Sequence, residues 1–170
     1  MTRLERLYAE QRQSPWLDSL TRPYLFDGTL ARFVADGIRG VTANPTILAK
    51  AIEGSDAYDD QFATLTAHGC AVEDTYWELA VQDVADALAV LRPVYDKSSG
   101  NDGFVSIEVA PELARNTDAT IAAPRQLHQR ISEPNLFMKV PATAEGIPAI
   151  AALIGSGLSI NVTSPTPSKG

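Results

Sequence analysis

A lysine inside an apolar run is an unusual place for a charge. Lys139 lies among Leu136, Phe137, Met138 and Val140, and Pro141 ends the run. A run of that length with turn chemistry behind it reads as a buried strand. An ammonium on a strand apolar on both sides is costly to desolvate, so such a group tends to shed its proton. The neutral amine is a nucleophile able to form a Schiff base with a carbonyl substrate. The same stretch also reads as a strand-end lysine whose stem carries the charge out to solvent.

Six more polar side chains bear on that choice. Asp18, Thr42, Asn44, Glu108, Asn161 and Thr163 each sit at or near the end of an apolar run. Two carboxylates in unlike surroundings can take separate proton-transfer roles. Each position has a structural reading as well. Asp18 can cap a following helix, and Asn44 before Pro45 makes a good N-cap. Glu108 can serve Lys139 only as a counter-charge, although such pairs more often mark a site than stabilise a fold. His68, His128 and Cys70 carry no assigned chemistry, and Trp77 reads as core.

The elements that must position these residues follow from pattern and punctuation. Arg3 to Gln13 is polar with Leu4, Leu7 and Tyr8 on one face, a short helix that Ser14-Pro15 stops. Trp16 to Leu20 reads as a strand or strand end. Gly28 to Asp36 is helical with Gly37 as its stop, and a short β-rich run from Ile38 ends at Asn44-Pro45, where a helix begins. Gly54-Ser55-Asp56 breaks that helix and caps another through His68. A long helix runs from Glu73-Asp74 to about Pro93, followed by a polar loop from Asp96 to Gly103. Phe104 to Val109 is a strand with Glu108 inside it. Thr117 to Arg130 is a helix that Pro124 kinks or divides. After the lysine strand come a small-residue helix from Thr143 to about Ile154 and a last strand, Leu158 to Val162.

Strands alternating with helices predict βαβ units, an α/β fold with a parallel sheet. In a (β/α) barrel the strand ends meet on one face, where active sites are built. That convergence favours a functional Lys139 over a snorkelling one.

Composition narrows the partners. The chain has 170 residues, 45% of them hydrophobic and 21% charged, which suits one ordinary globular domain with its own core. A net charge of −7 argues against nucleic acid or an anionic membrane as the main partner, but leaves room for a small phosphorylated substrate. One cysteine allows no internal disulfide framework, and no ligand-spaced partners predict a metal site. No signal peptide or membrane span is evident, so the expected location is cytoplasmic.

Five stretches, in order, resemble a transaldolase of the actinobacterial type. They are Ser14-Pro15-Trp16-Leu17-Asp18-Ser19-Leu20, Gly40-Val41-Thr42-Ala43-Asn44-Pro45-Thr46-Ile47, Val105-Ser106-Ile107-Glu108-Val109, Met138-Lys139-Val140-Pro141-Ala142-Thr143 and Ile160-Asn161-Val162-Thr163. The resemblance implies a (β/α)8 barrel of the TIM type in which Lys139 carries the Schiff base to a ketose phosphate. It implies that Glu108 acts through a water as acid and base on the imine, with Thr163 placing that water. Asp18 would take the proton from the hydroxyl beside the breaking carbon–carbon bond. Asn44 and Asn161, with Thr42, would bind the dihydroxyacetone unit. That unit would pass from sedoheptulose 7-phosphate to glyceraldehyde 3-phosphate, giving erythrose 4-phosphate and fructose 6-phosphate in the pentose phosphate pathway, with no cofactor. Another class I Schiff-base aldolase is the competing enzyme, but the Thr42-Ala43-Asn44-Pro45 and Asn161-Val162-Thr163 elements speak for the transaldolase.

The resemblance covers residues 1–163, expected to be the N-terminal part of the barrel, with 164–170 as a disordered tail. A barrel of this type takes about 250 residues, so an incomplete barrel of about five strands is expected. The family's phosphate-binding residues fall outside these stretches. Open barrel edges predict self-association, and an inactive half-barrel or association module is the non-enzymatic alternative.

Overall fold

The computed structural model describes residues 1–164. The strands are β1 (Trp16–Leu17), β2 (Gly40–Ala43), β3 (Phe104–Glu108), β4 (Leu136–Pro141) and β5 (Ile160–Thr163). The helices are α1 (Arg3–Gln11), α2 (Arg22–Phe26), α3 (Thr29–Ala35), α4 (Pro45–Glu53), α5 (Asp59–Ala67), α6 (Val72–Lys97), α7 (Thr117–Ile131) and α8 (Gly146–Gly155). Short 3-10 turns cover Asp56–Tyr58 and Pro111–Arg115.

The sheet has the order β1-β2-β3-β4-β5, and every neighbouring pair is parallel. Parallel neighbours need crossovers, and right-handed crossovers taken always in the same direction put the helices on one side of the sheet. That is barrel topology; a doubly wound sheet would reverse its strand order at a switch point. The expected incomplete barrel of five strands is thus what the chain forms.

Alternation along the strands sorts the residues between two faces. Val41, Ala43, Val105, Ile107, Leu136 and Met138 face the helices and join Leu48, Ala80, Val84, Leu88 and Leu91 in one buried cluster. Each fully buried Leu, Val or Ile contributes about 1.5–3 kcal/mol, so this face drives folding. Helix α6 packs on β2 and β3, α7 on β4, and α8 on β4 and β5.

The other face carries Trp16, Gly40, Phe104 and Phe137 at its amino end. Phe137 stacks on Phe104 at 4.0 Å between centroids and on Trp16 at 6.2 Å, both near-parallel. Below it Arg39 pairs with Asp102 and lies 3.6 Å from the Tyr8 ring centroid, while Ser14 donates to Asp102 at 2.8 Å. The amino end of the inner face is therefore closed by rings and an ion pair.

Several boundaries differ from the sequence reading. Helix α1 ends at Arg12, which takes the left-handed conformation (φ 57°) before Ser14-Pro15 is reached. Only Trp16 and Leu17 pair as strand, and Asp18 stands in the bend after them. Helix α2, absent from the sequence reading, starts with Pro23 in its first turn, where a missing N–H costs nothing. Helix α6 runs through Pro93 to Lys97, because the Ala89 carbonyl that loses its partner is on the exposed side. Helix α7 runs unbroken through Pro124, whose buried ring packs in the same face as Thr120, Leu127 and Ile131. Helix α8 begins at Gly146, with Thr143 accepting the Gly146 N–H at 2.9 Å. Trp77 is partly buried against the core, as its pattern suggested. The tail expected over 164–170 falls, from residue 165 on, outside the described residues. No helix among the described residues is long and apolar enough to cross a membrane.

A Cβ at Gly40 would overlap the Trp16 indole, so Gly40→Ala must push the ring out of its stack with Phe137. Such overpacking costs about 1–3 kcal/mol, which urea unfolding followed by far-UV circular dichroism should register as a lowered midpoint.

Candidate active site

Glu108, Lys139 and Asn161 are direct register neighbours on β3, β4 and β5. Neighbouring strands lie about 4.8 Å apart, so register alone sets these three side chains in a row on the face away from the helices. Lys139 Nζ lies 3.1 Å from Glu108 Oε2, with the two side chains 18% and 14% exposed. The sequence reading put Lys139 between apolar neighbours on both sides. Alternation corrects this: Leu136, Met138 and Val140 point to the helices, and the lysine faces polar groups on the other side. A partly buried pair of this kind roughly breaks even in stability, so it is not explained by what it adds to the fold.

Asn44 joins the pair from the position just after β2. Its Nδ2 donates to Glu108 Oε2 at 3.2 Å, while its Oδ1 accepts the Thr46 N–H at 2.9 Å and caps α4. The cap and the contact with Glu108 use different ends of one amide, so capping α4 does not take Asn44 out of the cluster. Helix α6 braces this turn from behind, since the Tyr76 hydroxyl donates to the Pro45 carbonyl at 3.2 Å.

Asp18 and Thr42 form a second group. The Thr42 hydroxyl donates to Asp18 Oδ1. Asp18 is exposed and caps no helix; α2 starts from Thr21, so the capping reading of Asp18 is not realised. Asn161 Nδ2 donates to Ser106 Oγ at 3.0 Å. Ser106 is fully buried, sits in register with Thr42 and was passed over in the sequence reading. The signal that could have found it is its spacing: Ser106 and Glu108 are two apart on one strand and must share a face. Thr163 follows Asn161 by the same interval, in register with Pro141.

The polar side chains thus fall on one face at the carboxyl ends of five consecutive strands. An amine, two carboxylates, two amides and hydroxyls there can form an imine, move protons and hold a polyhydroxylated substrate. Two cavities of about 700 and 290 Å3 lie elsewhere. The larger is lined by Tyr8, Arg39, Pro93 and Lys97 at the amino end, and the smaller by Trp77, Leu113 and Arg130 between α6 and α7.

Fold and site together define a (β/α)-barrel protein of the kind that builds its active site from strand ends. The description Transaldolase/Fructose-6-phosphate aldolase belongs to the family whose profile matches residues 15–164, and the chain belongs to that family. It is 47% identical over 161 residues to "Transaldolase 2" of Streptomyces coelicolor, covering 94% of this chain and 43% of that protein. It is 49% identical over 151 residues to the "Transaldolase" of Acidothermus cellulolyticus, covering 88% and 41% respectively. The "Transaldolase" of Thermobifida fusca is 47% identical over 149 residues, with 87% and 40% covered. The chain spans about two fifths of the length of these curated relatives.

Burial pushes the Tyr76 phenol up to about 12, from 10.0. An acid whose folded value is raised contributes stability that is complete below the unfolded value and is lost as pH rises through the folded one. Between pH 10 and 12 the Tyr76→Phe chain should therefore lose less stability than the parent, measured by urea midpoints at each pH.

Proposed function

We propose that the chain carries the Schiff-base half of a transaldolase site, moving a dihydroxyacetone unit between sugar phosphates. The observation that carries the reading is the Lys139–Glu108 contact of 3.1 Å, with Asn44 on the same carboxylate oxygen. Lys139, once its proton has passed to a base, attacks the ketose carbonyl. Glu108, beside it, is placed to take and return protons through a water as the carbinolamine loses hydroxide and becomes the imine. Thr163, on the same face, is assigned to that water.

Asp18 then removes the proton from the hydroxyl on the carbon next to the bond that breaks. That bond's electron pair moves into the imine, which becomes an enamine, and an aldose phosphate leaves. The Thr42 hydroxyl orients the Asp18 carboxylate, and Asn44 and Asn161 bind the hydroxyls of the retained three-carbon unit. The enamine attacks a second aldose phosphate, and hydrolysis of the new imine frees Lys139. Remote phosphate contacts position the reacting end in such chemistry. The described residues offer the imine machinery without an evident phosphate clamp at the cluster.

The test is borohydride trapping with fructose 6-phosphate, followed by peptide mass spectrometry. A substrate-dependent adduct on Lys139 is expected, absent in Lys139→Ala; labelling of another lysine, or no labelling of the folded parent, would defeat the reading. Glu108→Gln should slow adduct formation by about 100-fold, the usual scale for removing one acid–base group.

A second reading rests on the outer strands. Among the described residues β1 and β5 each pair on one side only, and Val162 on β5 is 52% exposed in the position where Val140 on β4 is buried. An apolar, unpaired edge of this kind favours pairing with a second copy. A polypeptide of these residues should sediment as a dimer or larger at micromolar concentration, and a strictly monomeric sample would remove this reading.

A further inference from the structure

The molecule buries an ion pair that takes no part in the cluster around Lys139. Arg22, Asp83 and Tyr58 are 4%, 0% and 1% exposed. Arg22 Nε donates to Asp83 Oδ1 at 2.7 Å, and the Tyr58 hydroxyl donates to Asp83 Oδ2 at 2.7 Å. The same hydroxyl accepts the backbone N–H of Arg22 at 2.9 Å, and the guanidinium lies 4.2 Å from the Tyr58 ring centroid. Carbonyls of Ala57 and Leu79 take two further guanidinium N–H groups.

Burying an arginine and an aspartate is a poor way to gain stability compared with packed apolar residues. What such a network supplies is direction, because charged hydrogen bonds fix both distance and angle. The residue fixed here is Arg22, only four positions after Asp18. Between them Leu20 is fully buried and Thr21 opens α2. Asp18 itself is exposed, held on its own account by the Thr42 hydroxyl. Its segment is therefore tethered at two points, by β1 pairing with β2 on one side and by Arg22 on the other.

The other end of the tether matters equally. Asp83 lies on α6, the helix that packs on β2 and β3 and so backs Thr42, Asn44 and Glu108. We propose that the Arg22–Asp83–Tyr58 network is a positioning device, locking the segment that carries Asp18 to the helix that backs the other acid–base group. This rests on the function proposed above, in which Asp18 acts in carbon–carbon cleavage and Lys139 with Glu108 in imine formation. The two steps use different strands, so loosening the tether should separate them.

Tyr58→Phe keeps the ring and removes the hydroxyl that joins Asp83 to the Arg22 backbone. Adduct formation on Lys139 with fructose 6-phosphate and borohydride should stay within about twofold of the parent, while glyceraldehyde 3-phosphate released per adduct falls about tenfold. Hydrogen exchange of amides 19–22 should quicken without a matching change over 105–108 and 137–140. Asp83→Asn, which keeps the volume, is read the same way if Tyr58→Phe does not fold. An unchanged release per adduct overturns the proposal, as does a loss of adduct and release in equal proportion, which is the mark of a purely structural role. A parent that forms no adduct or releases no product overturns instead the function on which the proposal stands.

Discussion

The two-residue repeat of the strands is the constraint on which everything else depends. Each strand must hide one face under helices, and it does so with Val41 and Ala43, Val105 and Ile107, Leu136 and Met138. The opposite face is then free to be polar only where it is not needed for burial. At the amino end it is used for packing, with Phe137 stacked between Trp16 and Phe104. At the carboxyl end the same face carries Thr42, Ser106, Glu108, Lys139 and Asn161. One residue of slip in any strand would turn its polar side chains into the helix layer and take them out of the site.

Helix α6 is the second organising element, and its role is mechanical. It is long enough to reach across the sheet and is fixed to three other parts of the chain by buried or half-buried polar contacts. Tyr76 holds the Pro45 carbonyl beside Asn44, and Asp83 holds Arg22 behind Asp18. Near its other end the Leu88 carbonyl accepts from Asn135, the residue that leads into β4. Asn135 also donates to Gly103, next to β3, so one buried amide aligns the starts of the two strands that bear Lys139 and Glu108. Hydrogen bonds of this kind add little net stability each, but left unmade in the core they are expensive. They therefore penalise any arrangement in which the strands and α6 slide past one another.

The cluster also shows how one side chain can cap a helix and join a polar site at the same time. Asn44 follows β2, caps α4 through its side-chain carbonyl oxygen and reaches Glu108 through its amide nitrogen. Pro45 fixes the helix start on the following residue, so the direction of the Asn44 side chain is set by local backbone geometry before any substrate is present. Capping α4 and contacting Glu108 are therefore compatible for this residue. The same holds for Glu108, which is a counter-ion to Lys139 and, in the proposed reaction, its partner in proton transfer.

The sequence by itself determined the five strands, most of the helices, their order and most members of the polar cluster, while α2 and Ser106 escaped it. Apolar runs ended by Pro or Gly marked β2 to β5, and polar residues at their ends marked Lys139, Glu108, Asn44 and Asn161, because these are local signals of pattern and chain reversal. Five ordered motifs tied those residues to a family that the comparisons bear out. Tertiary structure alone decided which face each residue takes, since the register of parallel strands is set by packing between segments distant in the chain. It placed Lys139 among polar groups, gave Asp18 to Thr42 instead of a helix, and brought in Ser106 as the partner of Asn161. It also carried α6 through Pro93 and α7 through Pro124, where packing outweighed a local cost of about 3 kcal/mol. The Arg22–Asp83–Tyr58 network was invisible in the sequence for the same reason: its members stand 25 to 61 positions apart, and only the fold makes them neighbours.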